Sequence, residues 1–87
     1  MITLNDVIGF SDLTETEVQT VARHEHVTPL EAVLLGCRLM QSPSGQRRIL
    51  ACLREDLEAA RRGRDAHRVS EIETALARVR RQHAASD

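Results

Sequence analysis

The sequence contains no lysine, no tryptophan and no tyrosine, and these absences exclude several kinds of chemistry. All 12 basic residues are arginines, so the chain can form neither a lysine Schiff base nor a lysine general base. Phe10 is the single aromatic residue, which means that the core must be aliphatic. The chain also lacks the set of aromatic side chains on which the bases of single-stranded nucleic acids stack.

Cysteine and long apolar runs are also scarce. Cys37 and Cys52 are too few for the disulfide framework of a small secreted domain, and both fall in apolar helical positions. We expect both thiols to be inert parts of the core, with a redox role as the alternative. No run approaches 18 apolar residues and the N-terminus lacks a basic region, so we expect a cytoplasmic protein without a membrane span or signal peptide.

Charge is distributed unevenly along the chain. Residues 1–43 contain six acidic residues and two arginines, a net charge of −4, whereas residues 44–87 contain ten arginines and seven acidic residues, a net charge of +3. With 41% hydrophobic and 29% charged residues, the composition is that of a folded helical domain rather than a disordered chain. A chain of 87 residues predicts one small domain, 1–87, with an acidic N-terminal half and an arginine-rich C-terminal half.

Residues 28–41 carry the strongest helix signal. Thr28 is suited to cap the helix, Pro29 occupies the first helical position, and Glu31 follows the cap by three residues. At 100° per residue, two apolar groups fall on nearly opposite faces: Leu30, Val33, Leu34, Cys37 and Met40 on one, and Ala32, Leu35 and Leu39 on the other. A charged stripe of Glu31 and Arg38 lies between them. A helix that is apolar on two sides is normally buried on two sides.

The preceding segments predict one or two further helices. Thr14 and Glu17 repeat the capping pattern and begin a helix that runs to about Glu25. About three residues then connect this helix to the central one. Thr3 with Asp6 predicts a fifth short helix over residues 4–8 that ends at Gly9, and a strand over residues 2–4 is the weaker alternative because no partner strand follows.

The C-terminal half predicts a helical hairpin. Residues 42–45 end the central helix and begin a third one, which runs to about Arg62 with Gly63 as its C-terminal stop, and Asp65 caps a fourth helix. Two matching apolar stripes follow: Leu50, Leu53, Leu57 and Ala60, then Val69, Ile72, Leu76 and Val79. We therefore predict an all-α fold, a small four-helix or five-helix bundle that ends in an antiparallel helical hairpin.

His24 and His26 are the candidate metal ligands. Two histidines separated by one residue on a helix point about 200° apart, so they cannot easily share an ion. The simpler interpretation is that they are polar residues at a helix C-terminus, where an imidazolium interacts favourably with the helix dipole. We expect no metal and no cofactor.

Anion binding has two candidate sites. Arg47 and Arg48 follow a helix start, where free backbone N–H groups can receive an anion. Residues 18–34 also have the pattern of a helix-turn-helix, but His26 stands where glycine is usual and Arg38 is the one basic residue of the second helix. We expect no tight binding of nucleic acid, because acidic residues dilute the arginines: Glu55, Asp56, Glu58, Asp65, Glu71 and Glu73.

The segments GFSDLTETEV (9–18) and ARHEHV (22–27) carry a resemblance. They are similar to segments of a group of short, uncharacterised bacterial proteins that contain GFSDLTE and EHEH-like stretches. The likeness covers about the first half of the chain. It implies a compact all-helical cytoplasmic protein, and it implies no activity, cofactor or functional residue.

The sequence favours a non-enzymatic role, because the few nucleophiles lack a base and an orienting group. We predict an interaction or regulatory module whose partner, another protein or a second copy in a homodimer, covers Ala32, Leu35 and Leu39. A homodimer is favoured over a monomer, since the apolar faces exceed the surfaces available to cover them. One alternative is an anion-binding or nucleic-acid-binding protein that uses the arginine-rich half or a degenerate helix-turn-helix. Another is a metal-responsive or redox-responsive protein that uses His24, His26, Cys37 or Cys52.

Overall fold

The computed structural model describes residues 13–86, which form four α-helices and, within this range, no strand. The helices are α1 (Glu15–Glu25), α2 (Pro29–Leu39), α3 (Pro43–Arg62) and α4 (Ala66–Ser86). The predicted all-α four-helix bundle is therefore confirmed. The predicted fifth helix over residues 4–8 lies outside the described residues, as does Phe10.

The first three helices begin at hydroxyl residues that accept hydrogen bonds from the backbone of the first turn. In α1, the Thr14 hydroxyl accepts from the Glu17 N–H at 3.3 Å, and the Glu17 carboxylate accepts from the Thr14 N–H at 2.6 Å. At α2, the Thr28 hydroxyl accepts from the Glu31 N–H at 3.2 Å. Ser42 caps α3 in the same way. These three predicted starts are confirmed, because a cap depends only on residues within one turn.

The connection between α3 and α4 differs from the prediction. Helix α3 ends at Arg62 and Gly63 follows it, as predicted, but Gly63 has φ −79° and the left-handed conformation typical of glycine after a helix falls on Arg64, with φ 54°. The Gly63 N–H still donates to the Ala59 carbonyl at 3.0 Å, which extends the helical hydrogen bonds by one residue. The reversal therefore falls on Arg64, after which the Asp65 N–H donates to the Ala60 carbonyl at 3.0 Å. A left-handed φ costs a residue other than glycine about 1–2 kcal/mol.

Helices α3 and α4 form the predicted antiparallel hairpin, whose stripes make up most of the core. Arg61 at the end of α3 lies 3.7 Å from Glu73 near the start of α4, and Gln46 near the start of α3 lies 2.9 Å from His83 near the end of α4. The buried members of the two stripes are Leu50, Leu53, Leu57, Ala60, Ile72, Leu76 and Val79. Helix α1 adds Val18 to the same core.

Helix α2 is buried along one broad side rather than two. Val33 and Gly36 are buried, and at 100° per residue Gly36 lies near the centre of this side. The prediction that Leu30 and Leu34 share a buried face with Val33 is wrong, because both leucines are exposed. The glycine provides the reason. Leu13 packs over Gly36, where an added Cβ would lie 2.7 Å from the Leu13 Cδ1, so α2 faces the core with its smallest residue.

The corner between α2 and α3 depends on a second glycine. Gly45, in the first turn of α3, approaches the backbone at the end of α2. A Cβ added to Gly45 would lie only 2.0 Å from the carbonyl oxygen of Leu39. The end of α2 and the start of α3 are therefore in direct backbone contact, which fixes the position of α2 beside the hairpin.

Candidate interaction surface

The outer side of α2 exposes two leucines. Leu30 is 52% exposed and Leu34 is 67% exposed, and in the described part of the chain no other large hydrophobic side chain is as exposed. Residues four positions apart are neighbours on a helix, so the two side chains form one apolar row. Contiguous exposed apolar surface, unlike a single exposed apolar residue, is typical of a surface that contacts another molecule. We refer to Leu30 and Leu34 as the exposed leucines.

The charged stripe of Glu31 and Arg38 runs beside the exposed leucines. Both charged residues are exposed. The Glu31 carboxylate accepts a hydrogen bond from the Thr28 hydroxyl at 2.8 Å, which holds it at the N-terminal end of α2. Arg38 forms no ion pair with any residue in the range 13–86. The outer side of α2 therefore combines an apolar row with one negative and one positive group.

The residues that the sequence placed at an interface lie elsewhere on α2. Ala32 is fully buried, and Leu35 and Leu39 are partly buried against the core. All three belong to the broad side that contacts the rest of the chain. Sequence reasoning missed the exposed leucines, although one signal was available: they lie next to the charged stripe, on the side of the helix away from Gly36.

A buried polar cluster centred on Asp56 joins α1 to α3. Asp56 is 6% exposed, and its Oδ2 accepts a hydrogen bond from the Thr20 hydroxyl at 2.7 Å. The His24 Nε2 lies 2.9 Å from the Asp56 Oδ1, and the Arg23 guanidinium lies 3.7 Å from the same oxygen. The other ring nitrogen of His24 lies 3.4 Å from the Glu55 carboxylate. Both oxygens of the buried carboxylate therefore have partners on α1.

The geometry of this cluster suits a structural role. The Thr20 side chain, which donates to the Asp56 carboxylate, is completely buried, so its hydroxyl is not accessible to a substrate. Sequence reasoning treated Asp56 as one of the acids that dilute the arginines, and it did not predict the burial. At 100° per residue, Asp56 lies about 20° from Ile49 and about 40° from Ala60, which are both buried, and this was the available signal.

Glu17 is a second buried acid and joins α1 to α4. Its side chain is completely buried. Its Oε2 accepts from the backbone N–H and the hydroxyl of Thr14, both at 2.6 Å, and lies 3.5 Å from the Arg78 Nε. The carboxylate that accepts from the Thr14 N–H at the start of α1 thus also lies beside the Arg78 guanidinium of α4. Together with Asp56, Glu17 attaches α1 to both helices of the hairpin.

The two candidate metal ligands lie in different surroundings. His24 faces α3 as part of the Asp56 cluster, whereas His26 is exposed and ends α1 in the left-handed conformation, with φ 56°. Within residues 13–86, no group of three or more histidine, cysteine, aspartate or glutamate side chains is arranged to hold a metal ion.

Cys37 and Cys52 are free thiols, and both are partly buried. Burial raises the pKa of the Cys52 thiol, and the negative charges of Glu25 and Glu55 raise it further against the opposing charge of Arg48. A raised pKa keeps this thiol protonated at neutral pH, and the protonated form is a poor nucleophile.

The candidate anion site at the start of α3 does not bring its residues together. Gln46 is 1% exposed and donates from its Nε2 to the Met40 carbonyl at 2.9 Å, so it faces the interior. Arg48 forms an ion pair with Glu25 at the end of α1. Arg47 is exposed on α3. One of the two arginines is therefore engaged by an acid of the same chain.

A groove of about 590 Å³ lies on the outer face of the hairpin, with Leu57 and Leu76 among its lining residues. Its charged lining consists of Arg54, Arg61, Arg80, Glu55, Glu58 and Glu73. Three arginines and three glutamates leave the groove without a net charge, and Arg61 is already paired with Glu73. The lining therefore favours neither an anion nor a cation.

Comparison of this chain with models of protein families, with curated proteins and with solved structures finds no match. Among the helices of residues 13–86, none combines the length and the apolar character needed to cross a membrane.

Proposed function

We propose that this chain is a small, non-enzymatic helical protein of the bacterial cytoplasm that binds another protein through the outer side of α2. The observation that carries the proposal is the exposure of Leu30 and Leu34, which form one apolar row beside the charged stripe. Apolar rows bordered by charges are typical of helix surfaces that dock against a partner, since burial of the leucines stabilises the complex and the charges select the orientation.

The attachment of α2 supports this role, because a surface that is already held in place loses little entropy on binding. The Thr28 cap begins the helix, and the buried Gly36 contacts Leu13 on the opposite side. The backbone contact between Gly45 and Leu39 fixes the other end. A partner therefore meets a preorganised row of side chains.

The buried polar groups support a non-enzymatic role. Asp56 and Glu17 are the most deeply buried acids of the described chain, and each is engaged by side chains that connect two helices. The contacts of Thr20 and His24 are directed at Asp56. The titratable groups of the interior are thus used to position α1 on the hairpin.

A photo-crosslinking amino acid placed at position 34 tests the proposal in the cells from which the chain comes. We expect covalent adducts at position 34, and we expect the replacement of Leu30 by serine to remove them, because Leu30 belongs to the same row. The same photo-crosslinker at Ala51, which is exposed on α3, is the matched control. Equal crosslinking at positions 34 and 51, or adducts that persist in the Leu30→Ser chain, would overturn the proposal.

A further inference from the structure

The outer side of α2 is complementary to itself. Leu34 lies near the middle of this side, Glu31 lies three residues before it and Arg38 lies four residues after it. The side therefore has a negative end, an apolar centre and a positive end. A surface that carries opposite charges on either side of an apolar centre can pair with an identical surface rotated by 180°, which is the requirement for a twofold interface.

The spacing along the helix axis agrees with such pairing. At a rise of 1.5 Å per residue, Glu31 lies about 4.5 Å before Leu34 and Arg38 lies about 6 Å after it. When two α2 helices run antiparallel with Leu34 of one near Leu34 of the other, Glu31 of each copy lies within about 1.5 Å of the axial position of Arg38 in the other copy. Two symmetric ion pairs, each between Glu31 of one copy and Arg38 of the other, then lie on either side of the two Leu34 residues along the helix axis.

The arrangement around the helix axis agrees as well. At 100° per residue, Glu31 and Arg38 are about 20° apart on one flank, and Leu30 and Leu34 are about 40° apart on the other. A twofold axis perpendicular to two antiparallel helices brings each flank of one helix against the same flank of the other. Leu34 therefore meets Leu34 of the other copy, Leu30 lies about 6 Å along the axis from that same leucine, and the charged stripe meets the charged stripe.

We propose that the partner of this surface is a second copy of the same chain, bound by antiparallel pairing of α2 with α2 about a twofold axis. This inference rests on the interaction function proposed above and specifies its partner. The exposed fractions of Leu30 and Leu34, the lack of an ion pair for Arg38 within residues 13–86, and the order of the charges along α2 carry it.

Charge reversal provides the test. Glu31→Arg gives a chain that is positive at both ends of the surface, and Arg38→Glu gives a chain that is negative at both ends. In sedimentation equilibrium, we expect the dimer dissociation constant of each variant alone to rise at least about tenfold, because like charges face each other twice. An equimolar mixture of the two variants should recover wild-type affinity as a heterodimer, because both charge pairs become attractive.

Two controls separate this result from a loss of folding. Glu31→Arg also removes the hydrogen bond from the Thr28 hydroxyl, so Glu31→Gln, which keeps an acceptor at that position, shows the effect of the lost charge alone. Far-ultraviolet circular dichroism of each variant reports its helix content. Arg81→Glu, an exposed change on α4, should leave dimerisation unaltered.

The inference is supported if the wild-type chain is a dimer, each variant alone dimerises more weakly, and the mixture of the two variants recovers the wild-type affinity. A wild-type chain that sediments as a monomer at several hundred micromolar overturns it, and so does a mixture that dissociates as readily as the separate variants. If the wild-type chain is a monomer but position 34 still crosslinks to a different protein in a Leu30-dependent way, the partner is wrong and the interaction function stands. A dimer that is unaffected by Leu34→Gln forms through another face and overturns the inference, whereas the interaction function is overturned only by the crosslinking outcomes given for it above.

Discussion

Helices α2 and α3 follow each other in the chain and begin in the same way, yet one exposes apolar side chains and the other buries polar ones. Each starts with a hydroxyl cap followed by proline. Helix α3 buries Asp56 and Gln46, whereas α2 exposes Leu30 and Leu34. A scale of residue hydrophobicity would predict the reverse at all four positions.

The difference shows that position in the bundle and available partners decide burial. Helix α3 contacts α1, α2 and α4, so even a polar side chain on it can be enclosed, and Asp56 is enclosed with hydrogen-bond partners. Among residues 13–86, helix α2 packs mainly against α1 and α3, and Leu30 and Leu34 on its outer side are exposed. Burial of a polar group is tolerated where its hydrogen bonds are satisfied.

The same substitution on both helices sharpens this comparison most. Leu53 on α3 is completely buried, so Leu53→Ala should lower the free energy of unfolding by about 2–5 kcal/mol through lost burial and a new cavity. Leu34→Ala on α2 should change it by no more than about 0.5 kcal/mol in dilute solution, since the side chain is exposed. Urea denaturation of both variants provides the measurement. Equal losses would mean that the outer side of α2 is covered within one chain.

Adding one methyl group at the corner of the two helices should separate them. Gly45→Ala places a Cβ 2.0 Å from the Leu39 carbonyl oxygen, which belongs to the backbone and cannot rotate away. We expect the free energy of unfolding to fall by about 3 kcal/mol. Gly36→Ala is the control, because its Cβ would meet the end of the flexible Leu13 side chain and the cost should be smaller. Equal thermal midpoints for the two variants would contradict the close contact at this corner.

Removal of the buried carboxylate tests how much the polar cluster around Asp56 on α3 contributes to stability. Asp56→Ala leaves the Thr20 hydroxyl and His24 without their acceptor, and we expect a loss of about 2–3 kcal/mol in the free energy of unfolding. Asp56→Asn keeps an acceptor of similar shape and should cost less. Chemical denaturation followed by circular dichroism measures both. An Asp56→Ala variant with an unchanged free energy of unfolding would show that these contacts do not hold α1 on α3.

The smallest expected effect concerns the start of α2. Thr28→Ala removes the hydroxyl that accepts from the Glu31 N–H, and we expect a loss of about 1 kcal/mol in the free energy of unfolding. Thr28→Asn, which restores an accepting side chain, should recover most of the loss. A denaturation midpoint unchanged by Thr28→Ala would mean that the cap does not stabilise α2.

Features of this fold that depend on a few neighbouring residues could be predicted from the sequence. The caps at Thr14, Thr28 and Ser42 and the hairpin stripes belong to this group, because their chemistry is complete within one or two helical turns. The burial of Asp56 and the exposure of Leu34 could not be predicted from periodicity alone. Each depends on which helix packs against that side, and this is settled by contacts between residues far apart in the chain.

The candidate site shows the same limit. The sequence indicated α2 as the interaction helix, and it placed the contact on Ala32, Leu35 and Leu39 because a helix that is apolar on two sides is normally buried on two sides. Gly36 changes this, since a helix that faces its neighbours with glycine approaches them closely enough for one side to bury most members of both apolar groups. Only Leu30 and Leu34 remain outside, beside the charged stripe.

The distance in sequence between Asp56 and Thr20 has a consequence for the order of folding. The two residues are 36 positions apart, whereas only residues 63–65 connect the two helices of the hairpin. Short connections close at a lower entropic cost, so we expect the hairpin to form before α1 packs on it, while Asp56 is still hydrated. The arrival of α1 removes that water and supplies the hydroxyl and the imidazole in its place. On unfolding, the release of α1 is the step in which the carboxylate regains its solvent.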